Sequence, residues 1–174
     1  NYVQEAHTMI PEMDIDAEWH LIGHLQRNKA RTAVELFDVI ESLDSMRLAK
    51  ELEKHCAAIG KKMPVLIEVN SGQEENKTGL MPSEVLPLAE WVSGQTFIHL
   101  TGLMTMGPLT GDPALSRPYY KETMRLYEEI EQQNSPNTHM RTISMGMSNS
   151  YKVAIDEGAN LIRLGTRLFG ARIR

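Results

Sequence analysis

Short apolar runs alternate with helical patterns along the whole chain, and this alternation leaves few folds open. The strand candidates are Trp19–Gly23, Val39–Leu43, Val65–Val69, Ile98–Met104, Thr142–Met145 and Leu161–Leu164. Successive strand–helix units of this kind build a parallel sheet. Val65-Leu66-Ile67-Glu68-Val69 is too continuously apolar for a half-exposed strand, so it suits a sheet covered on both faces.

The helices between these runs have readable ends. Ser45 caps a helix whose Leu48, Leu52, Cys56 and Ile59 fall on one face, and Gly60 suits its left-handed exit. Ser83 is the expected cap of the next helix, where Pro87 is tolerated near the first turn. Pro113 to Gln133 reads as one longer helix with Tyr120, Met124, Tyr127 and Ile130 at helical spacing and Glu128, Glu129 and Glu131 on a solvated face. A short helix runs from Tyr151 to Glu157 and stops at Gly158. No linker divides residues 1–174, so one domain is expected.

About six units are visible, whereas a closed (β/α)8 TIM barrel uses eight units and roughly 250 residues. The chain has 174 residues and starts Asn1-Tyr2-Val3 with no methionine. The expectation is an α/β barrel lacking its first strand and most of its second, with an N-terminal companion segment covering the exposed edges. A smaller open sheet is the other account.

Composition removes several function classes. A formal charge of −5 argues against a nucleic-acid protein, which would carry a basic face. No apolar run is long enough to cross a bilayer, and no secretory leader is visible, so a cytoplasmic protein is expected. The single cysteine, Cys56, lies in a helical pattern and reads as a small core residue rather than a nucleophile. His20, His24, His55, His99 and His139 show no metal-ligand spacing; His20 and His24 flank a strand end, where packing or a place at a pocket rim are both open.

The chemistry concentrates in the last third. Ser144-Met145-Gly146-Met147-Ser148-Asn149-Ser150 follows a strand and opens a helix. Glycine lets a backbone approach an anion, hydroxyls donate, and the first amides of a helix lack internal partners. Ile162-Arg163-Leu164-Gly165-Thr166 ends the last strand, and barrels often bind phosphate in the loops after their final strands. Two ordinary turns with small residues would look the same. Arg163 is the charged residue of an otherwise apolar strand, and a buried guanidinium needs an acceptor or counter-charge. It either pairs with a core carboxylate or contacts a ligand in the barrel mouth.

Asn1-Tyr2-Val3-Gln4-Glu5, Trp19 through Lys29 (WHLIGHLQRNK), Gly102 through Met106 (GLMTM), Ser144 through Ser148 (SMGMS) and Ile162 through Arg172 (IRLGTRLFGAR) together resemble the pyridoxal 5′-phosphate (PLP) homeostasis protein family, also called proline synthase co-transcribed proteins. The resemblance covers the whole chain in order. It implies a single barrel of the alanine racemase N-terminal-domain type with PLP at its C-terminal mouth. Ser148, Gly165 and Thr166 would hold the phosphate, Arg163 would face the pyridine nitrogen, and Asn1, Met104 and Met147 would line the pocket with Ser144 and Gly146 in the cradle. The family attaches PLP to a lysine of its first strand, which would lie before Asn1. Among the lysines present, only Lys77 in the loop Gln73–Gly79 is placed to reach the mouth, and a solvated loop charge is the simpler reading of it.

The resemblance implies a carrier that stores or delivers the cofactor, as a monomer or weak dimer, with PLP-dependent apo-enzymes as recipients. Arginine does not readily give up a proton, so the ring nitrogen would stay unprotonated and the ring would be a poor electron sink. The racemases of this barrel type add a C-terminal β domain with a second acid/base, for which this sequence has no counterpart. A PLP-dependent racemase or decarboxylase is the alternative. A barrel for another phosphate, such as a sugar phosphate, or a fragment with no ligand of its own, are further readings.

Overall fold

The computed structural model describes residues 1–108 and 112–170. Helix α1 (Val3–Met9) and a 3-10 turn (Ile10–Glu12) precede the sheet. Then follow β1 (His20–Leu21), α2 (Ala30–Leu36), β2 (Val39–Leu43), α3 (Met46–Ile59), β3 (Met63–Val69), α4 (Pro82–Ser93), β4 (Ile98–Thr105), α5 (Arg117–Gln133), β5 (Thr138–Met147), α6 (Tyr151–Asp156), β6 (Leu161–Arg163) and the four-residue α7 (Thr166–Phe169). All six strands are parallel and pair in chain order, β1 to β6.

Each expected strand is present; β2 has the expected ends and the other five are shifted at one or both. β5 starts four residues early because Thr138–Thr142 alternates between exposed and half-buried positions. The apolar run marks only the part covered on both faces. β1 is shorter than expected, and its Gly23 leaves the ladder where Asn1 packs on it: a Cβ on Gly23 would lie 2.2 Å from the Asn1 carbonyl oxygen.

The helix ends follow side-chain chemistry. In α3, Ser45 Oγ accepts from the Leu48 amide at 3.3 Å, and Gly60 ends the helix at φ 67°. Leu48, Leu52 and Cys56 are buried, whereas Ile59, expected in the same stripe, is 52% exposed at the helix end. In α4 the cap is Met81 rather than Ser83, because Pro82 fits the first helical position, where no amide is needed. The Glu84 carboxylate accepts from the Met81 amide at 3.1 Å. Pro87 lies in the second turn, beyond the position expected for it. The helix expected from Pro113 to Gln133 breaks into a 3-10 turn (Pro113–Ser116) and α5. Pro118 has no amide with which to continue the upstream turn.

The sheet has two different faces. Ile40, Val65, Ile67, Leu103, Ile143 and Met145 pack against Leu48, Leu52, Val85, Leu88, Leu126 and Ile130 of the helices in one core. Each such fully buried side chain contributes about 1.5–3 kcal/mol. The other face carries a separate small apolar cluster, Val39, Leu66 and Met104. Beside it lies a lateral row in register, Glu68, Met104 and Ser144, from β3, β4 and β5. On this face Glu41 of β2 bonds Ser144 of β5, so the sheet curls toward it and it is the concave, barrel-interior side.

Gly146, the penultimate residue of β5, has φ 93°, and a Cβ there would lie 2.5 Å from Ala154 Cβ of α6. Gly146→Ala therefore combines left-handed strain with overpacking, and it should lower stability by about 1–3 kcal/mol. Urea denaturation should show a lower midpoint at an unchanged slope; an unaltered midpoint would mean α6 moves away freely.

Candidate functional site

A cleft of about 920 Å³ opens at the C-terminal ends of the strands. It lies within the size range of small-molecule sites and at the end of the sheet where parallel α/β proteins place them. Its floor comes from β1, β2 and β6, and one rim comes from the loops after β5 and β6.

The floor is a chain of hydrogen bonds whose directions are forced. Arg163 Nη1 donates to Ser144 Oγ at 2.5 Å, and Nη2 donates to the Thr105 carbonyl at 2.8 Å. A guanidinium only donates, so the Ser144 hydroxyl accepts from it and gives its own proton to Glu41 Oε2 at 2.5 Å. The other carboxylate oxygen, Oε1, lies 2.7 Å from His20 Nδ1. Arg163 Nε is buried with no acceptor among the described residues. Burial holds the guanidinium below the usual arginine value, opposed by Glu41 and, more weakly, by Tyr120 and Glu68. The hydrogen bond to Glu41 raises the His20 pKa against the effect of burial, with Glu18 adding to the rise. Burial also pushes the Glu68 carboxyl up, although Thr78 donates to it at 2.6 Å.

The rim gathers donors from two loops. The ladder sets Met147 beside Arg163, which brings the loop after β5 against the loop after β6. The Arg167 amide donates to Ser148 Oγ at 3.3 Å, leaving that hydroxyl its own proton to donate. Gly165 precedes α7, and its carbonyl accepts from the Leu168 and Phe169 amides at 2.9 and 3.0 Å. Nothing lies within 4 Å of where a Gly165 side chain would stand, so its backbone is open to approach. Ser148, Gly165 and Thr166 thus share one end of the cleft, and Met106 and Met147 supply apolar wall.

Six of the nine residues singled out in the sequence line the cleft: Arg163, Gly165, Thr166, Ser148, Met147 and Asn1. Ser144 is fully buried beneath it and acts on Arg163. Met104 and Gly146 are not in the lining. Met104 is fully buried between Glu68 and Ser144 in the floor row, and Gly146 faces α6. Among the described residues Arg163 has no direct carboxylate partner; Ser144 stands between it and Glu41. Sequence reasoning passed over Glu41, a charged residue in the apolar run Val39–Leu43, which is the same signal that marked Arg163. His20 lines the cleft beside it. Lys77 pairs with Glu74 at 2.6 Å outside the lining. Ala171 and Arg172 lie outside the described residues. Among the described residues no helix is long and apolar enough to cross a membrane.

Comparison with known proteins agrees with this architecture. The family described as alanine racemase, N-terminal domain, matches residues 1–173. The pyridoxal phosphate homeostasis protein of Aquifex aeolicus is 40% identical over 159 residues, covering 91% of this chain and 69% of that protein. The structure of PipY from Synechococcus elongatus without PLP has a TM-score of 0.90 at 37% identity, over 98% of this chain and 80% of that one. The same protein with PLP bound has a TM-score of 0.88 at 34% identity, covering 98% of this chain and 79% of that one.

The raised pKa of His20 links the cleft to stability. A group whose pKa is higher in the folded state stabilises fully below its unfolded value, about 6.5, and that contribution is lost as pH rises through the folded value. Urea unfolding of the protein should therefore show a stability component that fades above about pH 6.5, and His20→Gln should remove it. An identical pH profile in the variant would show that the imidazole is not held by Glu41.

Proposed function

The chain belongs to the pyridoxal phosphate homeostasis proteins of the alanine racemase N-terminal-domain family, and from that premise we propose that it binds PLP as a carrier rather than as a racemase or decarboxylase. The observation that carries this reading is the pairing of two chemistries in one cleft. Hydroxyl and backbone donors gather at the rim, and an arginine with a spare buried N–H lies on the floor. An anion alone explains the first and leaves the second without purpose.

The residues fit the group. Ser148, Gly165 and Thr166 would take the phosphate, with Ser148 giving the proton that its bond from Arg167 leaves free. Met106 and Met147 would flank the ring and limit water around it. Arg163 would donate to the ring nitrogen. When bound, PLP supplies an amine-reactive aldehyde and a ring whose electron withdrawal depends on protonation of that nitrogen. Arg163 does not readily release a proton, so it would leave the nitrogen unprotonated and keep the ring a weak electron sink. His20 and Glu41 bond to each other on one side of the cleft and so do not form an opposed acid/base pair. Both features favour holding the cofactor over turning substrate with it.

Titration of the protein with PLP, followed by the cofactor's absorption, tests this. A lost hydrogen bond to a charged group is worth about 1.5–3 kcal/mol, or roughly 10- to 100-fold in affinity. Ser148→Ala should weaken PLP about tenfold and leave pyridoxal, which has no phosphate, unchanged. Arg163→Met should weaken both. Equal affinity of the protein for PLP and pyridoxal would overturn the phosphate assignment, and repeated conversion of L-alanine to D-alanine would overturn the carrier reading.

A further inference from the structure

Resting on the cofactor reading above, we propose that Glu41 is the positioning residue of this cleft: one buried carboxylate orients the guanidinium of Arg163 through Ser144 and the imidazole of His20 directly. Glu41 is 1% exposed. It sits on β2, between β1, which brings His20, and the far strands β5 and β6, which bring Ser144 and Arg163. Its two oxygens are used separately, Oε2 by the Ser144 hydroxyl and Oε1 by His20 Nδ1.

The directions of these bonds leave little freedom. Arg163 donates to the Ser144 hydroxyl and a carboxylate only accepts, so the Ser144 proton goes to Glu41. With Glu41 ionised, both its oxygens accept, and His20 must carry its proton on Nδ1. Among the described residues, the other titratable groups around this network are Glu18 beside His20, and Glu68 and Tyr120 around Arg163. None of them bonds Arg163 directly. Among the described residues only Glu41 reaches both the arginine arm and the histidine arm. A carboxylate is required because it accepts at both ends; a carboxamide has one acceptor and one donor end, so Glu41→Gln must break one arm.

The consequence is a division of labour. Ser148, Gly165 and Thr166 set the affinity for the phosphate, whereas Glu41 sets where Arg163 points and hence the contact with the ring. Aspartate in its place would be one methylene too short to span both arms.

The test uses Glu41→Gln and Ser144→Ala with two readouts. Nitrogen-15 NMR of the histidines, recorded without ligand, should show the Nδ1–H tautomer of His20 in the parent. That preference should be kept in Ser144→Ala, whereas Glu41→Gln should lose either that preference or, if its carbonyl stays on His20, the acceptor for the Ser144 hydroxyl. Affinity for PLP should fall about tenfold or more in Ser144→Ala, and also in Glu41→Gln if the His20 tautomer is retained there, while affinity for inorganic phosphate stays within twofold. If Glu41→Gln fails to fold, Ser144→Ala alone decides, because it cuts only the arginine arm. A Glu41→Gln variant that keeps both the His20 tautomer and the PLP affinity, or unchanged PLP affinity in Ser144→Ala, overturns the proposal. If the parent binds no PLP while the tautomer responds as stated, the cofactor reading fails and the orienting role of Glu41 stands.

Discussion

Glu41 and Ser144 lie on strands with two others between them, yet their oxygens are 2.5 Å apart. Neighbouring strands are spaced about 4.8 Å, so on a flat sheet the two backbones would be roughly 14 Å apart, beyond the reach of a glutamate and a serine. The bond exists only because the sheet curls, and the curl creates an interior. Everything functional in this chain depends on that closure: it turns residues from β1, β2, β5 and β6 into one floor.

The curl also explains why the two faces of the sheet differ. The convex face packs on helices and is mainly apolar. The concave face holds Glu41, Glu68, Ser144 and Arg163 around a small apolar cluster. Buried charge is costly unless hydrogen-bonded and compensated. Ser144 meets that need for Arg163 on one side and Thr105 on another, and the remaining Nε is the uncompensated group. A protein that bound nothing here would gain stability by replacing such a floor with hydrocarbon.

Rim and floor are built by different means. The rim depends on backbone: the register of Met147 beside Arg163, the open Gly165 and the amide of Arg167. The floor depends on side chains locked by one another. Changes at the rim therefore act locally, whereas a change at Glu41 propagates to two strands.

The order of strands and helices, the caps at Ser45 and Gly60, and the pairing of the Ser144–Ser150 and Ile162–Thr166 loops were legible from the chain because they rest on local chemistry: apolar period, capping side chains and small residues after strands. Arg163 stood out because a charge in an apolar strand has few explanations. Glu41 carried the same signal and was passed over, since nothing near it in the chain names Ser144, 103 residues away. Met104 and Gly146 lay in the right motifs, but Met104 is buried in the row beneath the cleft and Gly146 faces α6, because depth and facing depend on register and close helix contact. The chain by itself marked the six parallel strands and the larger helices between them, but not the short helices Val3–Met9, Ala30–Leu36 and Thr166–Phe169. Only the tertiary structure decided which polar groups share the interior, because that follows from sheet curvature, a property of many strands together that no local stretch encodes.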